Sequence, residues 1–229
     1  MGAEFSKIMR INDIYASIQG EGSLAGTPMV IVRLHGCGVG CPFCDTKETW
    51  EAKTGDYRNS LPEALGTNPK WTGILTPEIA QAARRTSEKA RWALVTGGEP
   101  AEQEHLDWLV EDLHKREFKV ALETSGTALG HVGAGFDWVC VSPKFDMPGG
   151  KAVLPDACEV ADELKMVVST EGDIKMVEVF LAALALKDGV VVSLQPVSGQ
   201  KKATKLCVDA CAVHGWRLSL QLHKYIDVR

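Results

Sequence analysis

A chain of 229 residues, 45% of them hydrophobic, can bury a substantial core and suits one domain spanning 1–229 better than two small ones. The formal net charge of -5, with lysines and arginines scattered among acids, excludes the basic stripe that a nucleic-acid partner requires. No apolar run reaches the roughly 20 residues of a membrane span, and MGAEFSKIMR lacks the apolar centre of a secretory signal, so a cytoplasmic protein without a membrane partner is expected.

Along the chain, an early segment ends at Ile18, Gln19 and Gly20. The first strong strand is predicted over 29–34 (MVIVRL), where Arg33 alternates with Met29 and Ile31 on one face. A glycine-rich, cysteine-rich stretch follows at 35–50, HGCGVGCPFCDTKETW. Residues 51–75, with two prolines, three glycines and mixed charge, break the rhythm and read as an insertion or long loop. Beyond them, strands are predicted at 92–96, 119–124, 138–142, 164–168, 190–195 and 217–222. Helical spacing of apolar residues recurs at 77–90, 104–117, 173–187 and 201–215.

This alternation predicts parallel βα units. A full eightfold barrel typically takes about 250 residues. The expected fold class is therefore α/β, an incomplete (partial) TIM-type β/α barrel, open on one side, with an insertion after the cysteine loop. Ligands of parallel β/α folds collect at the C-terminal ends of the strands. Cys37, TGGEP (96–100), ETSG (123–126), SPK (142–144) and Gln195-Pro196 all follow predicted strands, so these clusters should ring one mouth.

Seven cysteines is an odd number, and their clustering points to metal or catalysis rather than to disulfides. Structural zinc prefers four protein ligands, and a fourth beside Cys37, Cys41 and Cys44 would have to be His35 or a distant cysteine. Burial as small hydrophobes suits Cys140, Cys207 and Cys211 but not the 37–44 loop. A four-iron four-sulfur cluster normally takes four thiolates, so three ligands leave one iron open for chemistry. Gly36, Gly38 and Gly40 let the backbone curl around a bulky core, and Phe43 can shield it from water.

The spacing C-x-x-x-C-x-x-C, with an aromatic residue before the last cysteine and GGEP one strand later, resembles the radical S-adenosylmethionine superfamily. Within it, SIQGEG (17–22), VIVRLHGC (30–37), CPFCDTKETW (41–50), VTGGEP (95–100), LETSGT (122–127), VSPK (141–144), LQPVS (194–198) and RLSLQLHKYI (217–226) resemble the 7-carboxy-7-deazaguanine synthase family. Departures are a slightly long N-terminus and Leu222 where threonine is expected, which leaves the C-terminal segment's role open.

The resemblance implies a lyase that converts 6-carboxy-5,6,7,8-tetrahydropterin to 7-carboxy-7-deazaguanine with loss of ammonia. An adenosyl radical removes the C6 hydrogen before the ring contracts. Also implied are a 4Fe-4S cluster on Cys37, Cys41 and Cys44, S-adenosyl-L-methionine, Mg2+, an electron donor such as flavodoxin, and a homodimer. Two other classes stay open: an activating enzyme of the same superfamily acting on a protein, and a non-catalytic iron-sulfur or zinc module.

For the substrate, Ile18, Gln19 and Gly20 suit the donor-acceptor edge of a pterin, or form an ordinary turn. Arg33 needs an anion, either a substrate carboxylate or an internal acid, and Thr96 is placed to face the substrate. For the cofactor, Gly98 permits close approach, and Glu99 either accepts from a methionyl ammonium or caps a helix begun after Pro100. Phe43, Cys44 and Asp45 border the cluster; Glu123 resembles a ribose-binding acid; Ser142, Pro143 and Lys144 resemble a cofactor-contacting turn, with Lys144 solvated as the other reading. Gln195 is assigned to the adenosine, Thr46 (with Asp45) to magnesium, and His223 and Lys224 to support behind the site, with satisfied packing the favoured reading of His223.

Overall fold

The computed structural model describes residues 7–66, 70–130, 132, 135–197 and 199–228. Met1–Ser6 and Ser198, parts of the N-terminal and LQPVS stretches considered above, lie outside the described residues. In chain order the elements are β1 (Ile8–Ile18), β2 (Pro28–Leu34), α1 (Leu61–Ala64), β3 (Thr72–Leu75), α2 (Thr76–Thr86), β4 (Trp92–Gly97), α3 (Leu106–His114) and β5 (Lys119–Thr124). They continue with β6 (Trp138–Val141), α4 (Pro155–Glu159), β7 (Glu163–Val168), α5 (Glu171–Ala182), β8 (Val191–Pro196), α6 (Lys201–His214), β9 (Arg217–Leu218) and α7 (Leu222–Ile226). The strands form one sheet in the order β3-β1-β2-β4-β5-β6-β7-β8-β9. From β2 onward every pairing is parallel, which is the incomplete β/α barrel expected from the alternation.

Side chains alternate across the sheet with the period of two that a strand imposes. One set, including Val32, Val95, Leu122, Leu164 and Met166, shares the main core with Ile79 of α2, Leu106, Leu109 and Leu113 of α3 and Val177 of α5. The other set faces the barrel interior, where Met29, Ile31, Leu94 and Ala121 pack with Tyr15, Leu24, Trp92 and Trp138. The apolar interior stops below the strand ends, and polar side chains take over from there.

Local signals set the helices. Glu78 Oε2 accepts from the Leu75 backbone N–H at the start of α2. Thr170 and Asp173 cap α5 reciprocally. Gly215, at φ 72, ends α6 in the left-handed conformation that favours glycine.

Two expectations need correction, and one strand was not predicted. The early segment is the longest strand: β1 pairs antiparallel with β2 through Ile11–Ile18. Its alternation is hidden by buried Asn12 and Asp13 and by a register shift between Ile11 and Asp13. The 51–75 insertion is not all loop, because β3 closes it by pairing with the start of β1. The strand expected over 217–222 is two residues long, and Leu222 opens α7 instead. Past Ser219 the backbone leaves the sheet, and the Leu222 N–H donates to the Gly20 carbonyl at 2.8 Å.

Residues 19–27 link β1 to β2 by crossing the barrel interior. Gln19 Nε2 donates to Glu123 Oε1 at 3.1 Å, Gly22 N–H to Ser219 Oγ at 2.9 Å, and Ser23 N–H to Glu163 Oε2 at 2.8 Å. Tied in this way to β5, β7 and the residues after β9, the loop forms a floor.

Candidate active site

A cavity of about 550 Å³ opens at the strand ends, above the floor loop. Of the site residues expected from sequence, Ile18, Gln19, Gly20, Arg33, Cys37, Cys41, Phe43, Cys44, Asp45, Thr46, Thr96, Gly98, Glu99, Glu123, Ser142, Lys144 and Gln195 all line it. His223 and Lys224 line it as well. Pro143 does not; it is buried behind the turn whose neighbours reach the cavity.

The cysteine loop forms one wall. Cys37 leaves β2 almost at once, its N–H bonded to the Trp50 carbonyl at 3.0 Å, and the turn from Cys41 to Cys44 closes through a backbone bond of 3.0 Å. All three thiols are free and border the cavity. Burial pushes the Cys37 thiol up to about 11 and raises that of Cys41. Among the described residues no three His, Cys, Asp or Glu side chains form a ready single-ion site. His35 is turned elsewhere: its Nε2 lies 3.0 Å from the Glu51 carbonyl and its ring stacks on Trp71 at 5.7 Å. A single zinc ion with His35 as fourth ligand does not match this arrangement. Three free thiols on one cavity wall fit a larger inorganic core, with room beside it for a further ligand.

The Thr96–Pro100 turn is seated on the cysteine loop. A Cβ on Gly98 would lie 2.1 Å from the Gly36 carbonyl oxygen, and one on Gly97 would lie 2.4 Å from the backbone of Leu34. The close approach that these glycines permit is therefore to the chain's own backbone. Glu99 is buried at 2% exposure. Its Oε1 accepts from Ala101 N–H at 3.0 Å and Thr124 Oγ1 at 2.5 Å, and its Oε2 accepts from Ser125 N–H at 2.7 Å. A carboxylate has about four acceptor sites. The bond to Ala101 is the helix cap considered from sequence, and one site on Oε2 is still open.

Arg33 and Thr96 are register partners on β2 and β4 and share the inward face. The Arg33 guanidinium donates to Tyr15 Oη at 2.8 Å and lies 5.9 Å from that ring's centre. Among the described residues no carboxylate lies within ion-pair distance of it, so the internal salt bridge weighed from sequence is not formed. Lys144 donates to the Ser142 carbonyl at 2.9 Å and to Ser142 Oγ at 2.5 Å. It is half-buried and bonded within its own turn rather than freely solvated; burial, then the nearby Lys165 charge, lowers its pKa.

Thr46 holds its own loop. Its N–H lies 3.4 Å from Cys44 Sγ, and its carbonyl accepts from Thr49 Oγ1 at 2.8 Å. Asp45 is engaged by the C-terminal segment, accepting from Gln221 Nε2 at 3.1 Å and Lys224 Nζ at 3.0 Å. The same Gln221 amide donates to Glu21 Oε1 at 2.8 Å. The segment after β9, whose role the sequence left open, thus ties the cysteine loop to the floor loop.

Two residues that sequence reading passed over complete the site. Lys165 of β7 lies 2.5 Å from Glu21 Oε2 and 2.9 Å from Glu123 Oε1. Burial pushes its pKa down, but Glu123 and Glu21 more than offset this and hold it well above the usual range. Burial likewise pushes Glu21 up, yet the Lys165 ammonium beside it brings its carboxyl down to about 2. One signal was available: ELKMVV carries charge at alternate positions of a strand otherwise apolar, as Arg33 does in its own strand.

With this geometry, likeness to known proteins becomes interpretable. No protein-family model matches the chain. Over 221 residues it is 39% identical to the 7-carboxy-7-deazaguanine synthase of Escherichia coli K12, covering 95% of this chain and 98% of the relative. The chain belongs to the 7-carboxy-7-deazaguanine synthase family. The 7-carboxy-7-deazaguanine synthase of Buchnera aphidicola subsp. Schizaphis graminum is 33% identical, over 96% of this chain and 98% of the relative. The crystal structure of QueE from Escherichia coli superposes with a TM-score of 0.86 at 36% identity, covering 96% of each chain. Streptococcus suis SuiB bound to the precursor peptide SuiA has a TM-score of 0.56 at 12% identity, covering 84% of this chain and 47% of that one, a likeness of fold alone. As a 7-carboxy-7-deazaguanine synthase family member, the chain is a radical S-adenosylmethionine lyase that uses an iron-sulfur cluster and acts on a small molecule. Among the described residues no helix is long and apolar enough to cross a membrane.

Proposed function

We propose that this chain contracts the ring of 6-carboxy-5,6,7,8-tetrahydropterin to give 7-carboxy-7-deazaguanine and ammonia, in the biosynthesis of queuosine or another 7-deazapurine. The observation that carries this reading is one cavity bordered by three free cysteines and by an arginine that has no carboxylate partner among the described residues. Its volume lies within the common range of small-molecule sites, about 300–1,000 Å³.

Cys37, Cys41 and Cys44 would hold the 4Fe-4S cluster, which with S-adenosyl-L-methionine bound would supply one-electron reductive cleavage of the sulfonium. Glu99 offers its open Oε2 acceptor to the methionyl ammonium. Glu123 takes the ribose, while Phe43, Asp45, Gly98, Ser142, Pro143, Lys144 and Gln195 surround the rest of the cofactor. Ile18, Gln19 and Gly20 present backbone groups and an amide to the donor-acceptor edge of the pterin. Arg33 clamps the substrate carboxylate with its planar fork, and Thr96 beside it fixes the ring. Thr46 would supply an oxygen to Mg2+, a hard cation that prefers oxygen ligands. The floor loop and cysteine loop exclude water, which a radical intermediate requires.

An electron donor such as flavodoxin, a homodimer, a cytoplasmic location and a single catalytic domain over 1–229 belong to the same proposal, supported by the family resemblance. The test is anaerobic incubation of reduced, reconstituted protein with S-adenosyl-L-methionine and the carboxytetrahydropterin. Formation of 7-carboxy-7-deazaguanine is expected, with roughly four irons and four sulfides per chain, lost on Cys37→Ala, Cys41→Ala or Cys44→Ala but not on Cys207→Ala. Zinc without acid-labile sulfide would instead mark a non-catalytic module. Cofactor cleavage without pterin turnover would point to an activating enzyme.

A further inference from the structure

Lys165 stands in the middle of β7, facing inward, with its side chain 4% exposed. Its ammonium joins two carboxylates from different parts of the site: Glu21 on the floor loop and Glu123 at the end of β5. Gln19 of the floor loop donates to the same Glu123 oxygen, Oε1. Both internal donors thus use one oxygen, and Oε2 has no hydrogen-bond partner among the described residues. Glu21 is occupied at both oxygens, by Lys165 and by Gln221.

A buried charge array adds little stability over apolar packing of the same volume, and it is costly once one partner is removed. A barrel that needed only a filled interior is served by leucine or methionine at this position. The other ionisable groups facing the array are Cys140 of β6, Glu163 of the same strand and Lys144, with His223 facing Glu21.

We propose that Lys165 is a positioning residue for the reaction. It holds one oxygen of Glu123 internally so that the other is presented to the cofactor, and through Glu21 it sets the floor loop, with Ile18–Gly20, at a fixed distance from that oxygen. The inference rests on the reading of the cavity as a site for S-adenosyl-L-methionine and the pterin together.

The test compares Lys165→Met and the double variant Lys165→Met/Glu21→Gln with the unaltered reconstituted enzyme. Without the ammonium, Glu21 and Glu123 face each other, and one of them holds a proton near neutral pH. As pH rises that proton leaves and the carboxylates separate. Product formation by Lys165→Met should therefore fall with rising pH between about pH 6 and 9, along a limb absent from the unaltered enzyme. Affinity for S-adenosyl-L-methionine, measured by equilibrium dialysis, should weaken about tenfold, and cofactor cleaved per product should rise at least about threefold. Iron and sulfide content should not change.

In the double variant one charge is gone and the amide of Gln at position 21 can donate to Glu123, so the limb should vanish and most of the coupling should return. Unchanged cofactor affinity and coupling in Lys165→Met at every pH would overturn the proposal. So would parallel loss of iron and activity in both variants, which would make Lys165 a structural residue only. If the unaltered enzyme made no 7-carboxy-7-deazaguanine, the functional reading would fail, while the dialysis arm would still test the hold of Lys165 on Glu123.

Discussion

Lys224 and Asp45 meet at 3.0 Å although 179 positions separate them in the chain. Gln221 sits between them and Glu21, with both amide hydrogens and its carbonyl engaged. The exposed pair alone is worth at most about 1 kcal/mol, so Lys224→Met should barely move the thermal midpoint. Gln221→Ala severs the cysteine loop from the floor loop and should lower turnover about tenfold at full iron content. Steady-state kinetics with iron analysis checks this, and unchanged turnover would reduce the contact to surface decoration.

Gly98→Ala places a methyl where the Gly36 carbonyl already stands. Backbone on both sides leaves little room to yield, so a loss of about 2–4 kcal/mol in urea unfolding is expected, together with poor cluster retention. A variant as stable as the parent would show that the turn can shift away from the cysteine loop.

Arg33→Lys keeps the charge but removes the two-pronged donor and its bond to Tyr15. Substrate turnover should fall by about a hundredfold, while cluster content and substrate-free cleavage of S-adenosyl-L-methionine survive. Intact pterin affinity in this variant would move the carboxylate clamp elsewhere.

Thr46→Val keeps the shape and deletes the oxygen assigned to magnesium. Magnesium should raise turnover of the parent enzyme without altering its iron content, and the variant should lose most of that stimulation. Because Thr46 also touches Cys44 Sγ, the opposite pattern is informative: a loosened cluster with equal stimulation would make Thr46 a loop residue and nothing more.

The Glu21 carboxyl, held at about 2 against an ordinary 4.5, makes stability depend on acid. A depressed folded pKa contributes stability that is fully present above the unfolded value and is lost as pH falls from about 4.5 towards 2. The contribution is on the order of 3 kcal/mol before allowance for its coupling to Lys165. Glu21→Gln should therefore be less stable than the parent at pH 7, and the gap should narrow as pH drops below about 4.5. Urea unfolding at stepped pH measures it; a constant gap would assign the loss to packing instead.

The alternation of apolar runs determined the parallel β/α order, because a strand buried on both faces and a helix with one apolar stripe differ in period within a few residues. Cysteine spacing in 37–44 and the glycines at the end of β4 were legible for the same local reason. Tertiary structure decided the rest. Asn12 and Asp13 obscured β1 until its pairing with β2 supplied the register. The floor loop has no sequence periodicity, and its place inside the barrel follows only from bonds to Glu123, Glu163 and Ser219, between about 100 and 200 residues away. Lys165 read as part of an apolar strand because its neighbours Leu164 and Met166 face the helices. Its meaning came from Glu21 and Glu123, which lie 144 and 42 positions away and which only the curvature of the sheet brings onto one ammonium.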